Sequence, residues 1–536
     1  VTEQNEVDGA GSCSNPESFL GQNYKELHKD FLTHKARFLD DKFPPNKSSI
    51  GEGLLSDEDM ERVEWIRPTK MVDDPHLVVG GESRFDLAQG ELGNCWFLAA
   101  IGAITLQQDV MDQIIPEGQS FRRNYAGIFH FRFWRFGKWV DVVVDDKLPT
   151  LDGQLIFVHC KTCNEFWPAL VEKAYAKVCG SYADLNGGWI SEALCDFTGG
   201  VYLTLRLVKD HPEHWSLIQR AAKHRSSMGC GSKPGVYTHT HTHTHTHTHT
   251  QTNIKYTLYY HLKSHLNFQP IRNPLFTLTR GLHVFFQATA ANTELPNGIV
   301  EGHAYTITGV TKVMCEGKQV KLVRLLNPWG RKEWKGDWSD RSALWGLVDS
   351  EDRLKLLQNK DNGEFWMSMN DFSKSFATVD ICCKTPAFLD GSSDSSWTTV
   401  RYEGRWDEKT GGGSMEYKQS FWMNPQFRVK IPAVEEKNAE AQQLNLHVSL
   451  MQKPNNRHRQ LVENHPIGFS VFALKDQKVL PASFFTSSTP VVKPKLESNS
   501  REVMKMLSLS PGLYLVVPYT HTPKVTASFI LTLHSK

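Results

Sequence analysis

The sequence predicts an α+β region followed by an all-β sandwich in a chain of 536 residues. A compact apolar stretch from Leu98 to Leu106 contains no proline and is typical of a buried helix. Aromatic and polar residues alternate from Ile128 to Phe133, ahead of a second β-like run from Trp139 to Val144, and this pattern predicts a hairpin. Beyond Leu446, short apolar runs bounded by Pro, Gly and Ser predict a sandwich of about 150 residues.

The composition excludes several classes of protein. Lys and Arg number 60 against 59 Asp and Glu, a net charge of +1, so no nucleic-acid partner is expected. No apolar run reaches about 18 residues, and the first residues lack the pattern of a secretory signal. Ten cysteines are too few for a disulfide scaffold in so long a chain. We therefore expect a soluble, cytoplasmic protein with reduced thiols.

A hairpin and a glycine-rich hinge organise the first part of the chain. Gly137 and Lys138 turn the hairpin, which has one strongly aromatic face. Glycine pairs at 187–188 and 199–200 supply the permissive backbone of a hinge between two lobes. Later strands are predicted at Ala304–Val310, Val320–Leu326, Leu446–Leu450, Ile467–Leu474, Leu513–Val517 and Phe529–Leu533.

Four parts are predicted along the chain, with a polar linker (DGSSDSS) around Asp390 before the last. They are an N-terminal segment at 1–22, a first lobe at 23–193, a second lobe at 194–386 and the sandwich at 387–536.

One segment fits no packed structure. Thr and His alternate from Thr238 to Thr250, which leaves no apolar face to bury and nothing to offset the entropy of ordering. A CA dinucleotide repeat read in frame encodes this alternation. We therefore interpret residues 233–286 as an accidental insert that forms an exposed, mobile loop. Metal capture by the His-rich tract is the alternative.

Gln89 to Trp96, with the sequence QGELGNCW, is the most informative stretch for chemistry. Cys95 follows a glycine-containing turn and begins the apolar helix. Unpaired backbone N–H groups and the positive end of the helix dipole lower the pKa of a thiol at such a position. Since the thiolate is the nucleophile, we expect Cys95 to be reactive. The alternative is an inert core cysteine.

A histidine and an asparagine later in the chain extend this pattern. His303 stands where a turn enters a predicted strand, and Asn327 where another strand leaves the sheet. Cys, His and Asn in this order are typical of papain-like sites. Without residues 233–286, the interval from Cys95 to His303 is close to the papain-like one of about 130 to 150 residues. Taken singly, an ordinary histidine at a strand edge and an ordinary asparagine in a turn are the favoured interpretations, and it is their order and local setting together that favour a catalytic pair.

Four motifs carry a family resemblance: QGELGNCWFLAA, GHAYTITG, NPWG and DNGEFWMS, which begin at Gln89, Gly302, Asn327 and Asp361. They resemble the calpains, calcium-dependent intracellular cysteine proteases, and the resemblance runs from about residue 23 to the end, apart from the Thr-His insert. It implies a two-lobed papain-like cysteine protease core followed by an all-β C2-like sandwich. The penta-EF-hand domain typical of the family has no counterpart here, so a small regulatory subunit is not an expected partner.

Roles for individual residues follow from the resemblance. Cys95 is implied as the nucleophile, His303 as the general base and Asn327 as its orienting partner. The Gln89 amide and the Cys95 backbone N–H are the implied oxyanion donors. Substrate-binding positions are implied at Gly188, Gly302 and Trp329. The last resembles a tryptophan beside the His-Asn pair, which must leave the cleft for the lobes to align.

Calcium is the implied cofactor, with one ion in each lobe held by carbonyl and carboxylate oxygens. The implied ligands of the first lobe are the carbonyls of Val79 and Gly81 and the side chains of Asp86 and Glu165. Those of the second lobe are Glu333, Asp340, the Lys360 carbonyl, Asn362 and Glu364. The family usually has Asp where Asn362 stands, so we expect weaker calcium binding there.

Three further features of the sequence have separate interpretations. Asn94 stands where the family usually has Asp, and we expect altered electrostatics at the helix start rather than lost chemistry. Cys160 and Cys163 form a lone C-x-x-C beside His159, without the second pair that zinc spacing requires, so no zinc site is predicted. The basic run 457–459 is a candidate contact with acidic lipid or only a solvated face.

The function predicted is a calcium-dependent intracellular cysteine endopeptidase that performs limited proteolysis through a Cys-His-Asn thioester mechanism. Its expected partners are protein substrates and phospholipid at the β-sandwich, with calcium-dependent association of the cytoplasmic protein with membranes. The alternative is a catalytically impaired calcium- and phospholipid-binding adaptor, because the insert would disrupt the second lobe.

Overall fold

The computed structural model describes residues 3–4, 9–162, 164–209, 211–234, 293–357, 360–432, 444–474, 480–492 and 500–536. Apart from residues 233–234, the predicted insert lies outside these ranges, and so does the prediction that it forms a mobile loop. The boundaries predicted for the four parts of the chain stay predictions.

The first lobe combines short helices and small sheets around one core. Its α-helices are Tyr24–Thr33, Lys47–Ile50, Asp57–Arg62, Pro68–Met71, Cys95–Ile104, Gln108–Ile114, Trp167–Cys179 and Ile190–Thr198. Its strands are Glu17–Ser18, Glu64–Ile66, Leu87–Ala88, Ile128–Arg135, Lys138–Asp145, Leu148–Leu151, Gln154–Leu155 and His159–Cys160.

The predicted apolar helix is the centre of this lobe. It spans Cys95–Ile104, so it begins three residues before the predicted stretch, and all ten of its residues are buried. A helix that is apolar on every face belongs in a core. It packs on Ile190–Thr198 and on the strand Ala304–Cys315 of the second lobe, which places its first residue between the lobes.

The predicted hairpin is present, and a glycine of the predicted hinge ends a helix between the lobes. Strands Ile128–Arg135 and Lys138–Asp145 pair antiparallel, and Gly137 in the turn has a φ of 92°. Helix Ile190–Thr198 ends at Gly199, whose φ of 65° is left-handed, and the first strand of the second lobe follows. The glycine is favoured there because other residues adopt this conformation at a cost.

One six-stranded sheet forms the second lobe. Its spatial order is Val201–Arg206, Phe376–Cys383, Ser227–Ser232, Ala304–Cys315, Lys318–Leu326 and Glu364–Ser368. Helices Pro212–Lys223, Ser350–Leu356 and Met369–Ser375 accompany it. The fourth and fifth strands are antiparallel neighbours, with Thr306 opposite Leu326. His303 precedes the fourth strand and Asn327 follows the fifth, so both lie at the same end of the sheet.

The C-terminal part is the predicted sandwich. One sheet has the order Glu3–Gln4, Thr398–Trp406, Ala527–Ser535, Leu446–Gln452 and Glu502–Leu507. The other has the order Phe427–Ile431, Gly512–Thr520 and Ile467–Leu474, accompanied by helix Ala482–Ser487. Inward-facing side chains of both sheets share one core, as alternation along the strands predicts. The α+β core and the all-β sandwich are therefore confirmed.

The segment around Asp390 is ordered rather than a free linker. The Asp390 carboxylate pairs with Lys536 Nζ at 2.5 Å, and Trp397 is buried. Short 3₁₀ helices lie here and elsewhere in the chain, at Phe19–Gly21, Ala183–Leu185, Ala343–Leu347, Pro386–Leu389, Asp394–Ser396, Phe421–Met423 and Arg459–Leu461. Across the described ranges, every helix is too short or too polar to cross a bilayer.

In the basic run at 457–459, His458 and Arg459 contact the first lobe, whereas Arg457 is exposed. His458 Nδ1 lies 2.9 Å from Asp184 Oδ2, and the Arg459 guanidinium pairs with Glu192 Oε2 at 2.9 Å. Arg459 also donates to the Gly187 carbonyl at 2.8 Å. Ion pairs with the first lobe therefore engage these two residues, and lipid contact through the basic run stays a prediction.

Candidate active site

Cys95 occupies the first position of the central helix. Its side chain is 6% exposed, and the backbone N–H groups of Ala304, Trp96 and Cys95 itself lower the pKa of its thiol. Ala304 directly follows His303, so the sulfur lies against the strand that carries the histidine. A second contact fixes the helix on this strand, since Thr306 Oγ1 donates to the Ala99 carbonyl at 2.8 Å.

The expected low pKa of Cys95 is wrong for this conformation. Burial raises the pKa of the thiol to about 11, although the backbone N–H groups at the helix start oppose the rise. The local effect of the helix N-terminus is present, but removal of water by both lobes outweighs it. The resting site therefore holds a neutral thiol.

Asn94, where the family usually has Asp, has a specific partner. The residue is fully buried, and its Nδ2 donates to Glu172 Oε1 at 2.5 Å. Glu172 also accepts from the Val158 N–H at 3.0 Å, yet burial raises the pKa of this carboxyl to about 8. An amide can donate to this carboxyl in either protonation state, whereas a carboxylate at position 94 would repel the ionised form. The effect of Asn94 at the helix start is therefore a hydrogen bond to Glu172.

His303 and Asn327 form a direct pair in a buried setting. Neither side chain is exposed, and His303 Nε2 lies 2.9 Å from Asn327 Oδ1. This contact leaves His303 Nδ1 without a hydrogen-bond partner among the described residues. Burial lowers the pKa of His303 to about 4, so the resting imidazole is neutral. A neutral ring with one nitrogen engaged and the other available suits a general base.

Backbone contacts fix the orientation of this pair. Ser232 Oγ accepts from the His303 N–H at 2.9 Å, and the Ser232 N–H donates to the His303 carbonyl at 2.9 Å. The Asn327 N–H donates to Gly363 at 2.9 Å, and its Nδ2 donates to the Lys332 carbonyl at 3.2 Å. Sequence patterns gave no indication of Ser232.

Trp329 packs on the imidazole of His303 and is held there by Gln89. The Trp329 ring lies 4.5 Å from the His303 ring, tilted by 43°. Its indole N–H donates to Gln89 Oε1 at 2.9 Å, and Gln89 Nε2 donates to the Leu92 carbonyl at 2.7 Å. Trp329 therefore joins the two lobes in this structure.

The two glycines proposed to bind substrate differ in their surroundings. A Cβ at Gly188 would lie 2.4 Å from the Trp96 ring, so only glycine fits there. Gly302 has a φ of 60° and open space around its Cα, as backbone that faces a cleft requires.

An interlobe ion pair lies next to both predicted ion sites and was not itself predicted. Arg84 Nε and Nη2 reach Glu364 Oε1 and Oε2 at 2.9 and 3.2 Å. Arg84 is two residues before Asp86 of the first site, and Glu364 was predicted as a ligand of the second. Arg324 Nε is also 3.6 Å from Glu364. No sequence signal could identify this pair, because its members are 280 residues apart.

The first-lobe ion residues come together. Ligand atoms of Asp86, Glu165 and Cys160 lie within 4.8 Å of one another. Glu165 Oε1 accepts from the Val79 N–H at 2.8 Å, and Gly81 follows in the same loop with a φ of 96°. Cys160 was not predicted to belong to this cluster, although its strand pairs with Leu87–Ala88, directly after Asp86.

In the second lobe the predicted ligands mainly contact backbone N–H groups. Glu333 Oε1 accepts from Asn362 and Gly363 at 3.0 and 2.8 Å, and Asp340 Oδ2 accepts from Lys360 at 3.1 Å. Asn362 Oδ1 accepts from the Glu364 N–H at 2.9 Å. Burial raises the pKa values of Glu333 and Asp340. In the described part of this lobe, no three Asp, Glu, His or Cys ligand atoms meet the spacing of the first site.

Two family profiles match the chain. Calpain family cysteine protease matches residues 38–383, and Calpain large subunit, domain III, matches residues 402–534. These ranges cover the two lobes and the sandwich.

Individual relatives align over almost the whole chain. Human Calpain-14 is 38% identical over 96% of this chain and 68% of its own length. The Calpain-1 catalytic subunit of Rattus norvegicus is 37% identical over 98% of this chain and 69% of its own. The Calpain-2 catalytic subunit of Mus musculus is 35% identical over 99% and 70%. With motifs, fold and relatives in agreement, the chain belongs to the calpain family of cysteine proteases.

Proposed function

We propose that this chain is a calcium-dependent cysteine endopeptidase that performs limited proteolysis with Cys95, His303 and Asn327. The observation that carries the proposal is the His303 Nε2 to Asn327 Oδ1 contact of 2.9 Å, which leaves Nδ1 available beside the strand that touches Cys95. Other histidines of the described chain also have a buried Nδ1 without a partner, so an unpaired nitrogen alone is not distinctive. What sets His303 apart is that it combines this nitrogen with the Asn327 contact and a position next to the strand that touches Cys95.

The chemistry proceeds by acyl transfer. His303 Nδ1 takes the proton of the Cys95 thiol, and the sulfur attacks the peptide carbonyl carbon. The Cys95 N–H and the Gln89 amide hold the resulting oxyanion. The imidazolium returns its proton to the departing amine, which leaves a thioester. Water, deprotonated by His303, then hydrolyses the thioester and regenerates the thiol.

Calcium is proposed as the ion that makes this site competent. It would be held in the first lobe by Asp86 and Glu165 with the loop carbonyls of Val79 and Gly81, and in the second by Glu333, Asp340, Lys360, Asn362 and Glu364. Bound calcium supplies positive charge that fixes anionic loops through about six to eight oxygens. Because Arg84 joins one set of ligands to the other, changes in one loop reach the opposite lobe.

Two alanine variants test the proposed nucleophile. Cys95 and Cys179 are both buried thiols in the first lobe, and burial raises both pKa values to about 11. We expect Cys95→Ala to lower calcium-dependent cleavage of casein by at least about a thousandfold. Cys179→Ala should keep cleavage and lose roughly 1 kcal/mol of stability. Equal activity in both variants would refute the assignment.

Alkylation tests the resting state of the nucleophile separately. A neutral thiol that is 6% exposed should react slowly with iodoacetamide. If calcium aligns the lobes and lowers the pKa of Cys95, the labelling rate at Cys95, measured by mass spectrometry, should rise when calcium is added. Cys179 should show no such rise.

The alternative adaptor function depends on the Thr-His segment, which lies outside the described residues. Protein that binds calcium but cleaves no casein, and that gains cleavage when residues 233–286 are removed, would favour that alternative. Protein substrates in the cytoplasm, phospholipid binding by the sandwich and calcium-dependent membrane association remain part of the proposal. Vesicle sedimentation with and without calcium tests the last two.

A further inference from the structure

Two carboxylates of the first-lobe site lack a cationic partner. Glu165 is 3% exposed and Asp86 is half-buried, and no described Lys, Arg or His nitrogen lies within 4.0 Å of either. Lys161 directs its ammonium towards Gly330 of the second lobe, where a Cβ would meet it at 2.1 Å. Buried carboxylates in proteins are paired or coordinate a metal. Lys161 attracts Asp86 electrostatically but forms no ion pair with either carboxylate, and the hydrogen bonds that the two accept leave their charges without a counterion in contact. A cation from solution would supply that counterion.

The third donor at this site is a sulfur. Cys160 is 8% exposed, and its Sγ lies 3.2 Å from Glu165 Oε2 and 2.9 Å from Thr162 Oγ1. The ligand atoms of Cys160, Asp86 and Glu165 fall within 4.8 Å of one another, a spacing that one ion can bridge. Calcium prefers oxygen and gains little from sulfur, whereas thiolate and carboxylate together suit zinc and related ions.

We propose that the first-lobe site of this chain also binds a thiophilic divalent cation of the zinc and cadmium class, through Cys160 Sγ, Asp86 and Glu165. The ion replaces the thiol proton, which passes to solvent, and nothing is oxidised or reduced. Both ions need Asp86 and Glu165, so the soft cation excludes calcium from this lobe and blocks its activation. Only this competition rests on the proposed calcium site.

Sequence spacing could not show this site. The lone C-x-x-C lacks a second pair at zinc spacing, and Cys163 lies outside the described residues. The partners of Cys160 come instead from a neighbouring loop and from the start of the following helix. The fold brings them together because His159–Cys160 pairs with Leu87–Ala88.

Cadmium gives a direct readout that does not depend on activity. The probe is cadmium chloride added to the full chain with Cys95→Ser, which removes the proposed nucleophile. Binding at Cys160 should produce an ultraviolet thiolate-to-cadmium charge-transfer band. Adding Cys160→Ser should abolish the band and weaken cadmium binding by at least about tenfold. Cys13→Ser, a thiol outside the site, should leave both unchanged.

Three results would overturn the inference. They are no band in the Cys95→Ser chain, a band that survives Cys160→Ser, and a band that Cys163→Ser abolishes while Asp86→Asn leaves it intact. The last result would assign the ion to the C-x-x-C pair alone. Thermal unfolding of each variant without metal checks that the fold is retained.

Calcium competition separates this inference from the proposed function. If calcium weakens cadmium binding and the loss depends on Glu165, both ions share the site. A Cys160-dependent band with no response to calcium would leave the thiophilic site standing and remove the first-lobe calcium site. Calcium-activated proteolysis in a chain without any Cys160-dependent band would do the reverse.

Discussion

The two lobes arrange their acidic side chains differently. In the first lobe, Asp86 and Glu165 lie together with Cys160. They accept from the Ser83 and Val79 N–H groups at 2.7 and 2.8 Å, and neither has a Lys, Arg or His nitrogen within 4.0 Å in the described chain. In the second, Glu333 and Asp340 accept from backbone N–H groups, and Glu364 is paired with an arginine from the first lobe. Carboxylates of both lobes thus accept from backbone N–H groups, but only in the second lobe is one of them held by an arginine that an ion would have to displace. We expect calcium to bind the first lobe first.

One arginine connects these two situations. Arg84 precedes Asp86 by two residues and reaches Glu364 with two hydrogen bonds. An ion that orders the first loop also orders Arg84, and through it the strand Glu364–Ser368 of the second lobe. The lobes are thus joined by a side-chain contact as well as by the chain that passes through Gly199.

Removing the charge of Glu165 should have the largest effect on the difference in calcium binding between the two lobes. Glu165→Gln keeps an oxygen for the Val79 N–H but removes the charge that a cation would balance. We expect the half-activating calcium concentration for casein cleavage to rise by about a hundredfold. Without calcium the variant should be more stable than the parent, because a buried unpaired charge is costly. Calorimetry without and with calcium measures the stability of the variant and of the parent in each condition.

The matched control for this change is Glu82→Gln. It removes one charge from the same loop, but the Glu82 carboxylate contacts Gln108 at 3.1 Å. It should shift calcium activation little. Equal shifts in both variants would mean that net loop charge, rather than the buried site, controls calcium binding.

Loss of the interlobe ion pair should be the next largest effect. Arg84→Met leaves Glu364 buried with only Arg324 at 3.6 Å, so we expect a loss of about 2 kcal/mol in unfolding free energy. Casein cleavage at saturating calcium should fall as well, because the second lobe no longer follows the first. Urea unfolding and activity of Arg84→Met, Glu364→Gln and the double variant form the cycle. Additive effects would show that the two side chains do not act as a pair.

Asn94→Asp tests a second carboxyl in the first lobe. Glu172 has its pKa raised to about 8 by burial, from a usual 4.5. A carboxyl with a raised pKa favours folding most at low pH, and that contribution is lost as pH rises from about 4.5 to about 8. Asp in place of the Asn94 amide should raise this pKa further and cost about 1 kcal/mol at neutral pH. The deficit should shrink at acidic pH, where both carboxyls are protonated.

Urea unfolding of the parent and the variant at acidic and neutral pH checks this sign. Asn186→Asp is the control, because it adds the same charge in the same lobe away from Glu172. A deficit that does not depend on pH would mean that geometry, and not charge, explains the amide at position 94.

Local patterns predicted much of this arrangement. The helix that begins at Cys95 and the hairpin follow from periodicity, and His303 and Asn327 flank strands that proved to be neighbours. The pKa of Cys95 was predicted wrongly, because a helix start is visible in sequence whereas burial by the second lobe is not. For the same reason, the contacts of Arg84 and Cys160 could not be predicted, because the fold determines which residues lie next to them.

The smallest expected effect concerns Asn362, a predicted calcium ligand of the second lobe. Asn362→Asp keeps the acceptor for the Glu364 N–H and adds a charge beside Glu333. The half-activating calcium concentration should fall by about threefold, since ligand charge tunes affinity. Asn297→Asp, whose Oδ1 also accepts a backbone N–H, adds the same charge in the same lobe and should change it less. If both variants behave alike, overall charge and not ligation explains the shift. If neither shifts activation, occupancy of the first lobe alone sets the calcium requirement, as its unpaired carboxylates indicate.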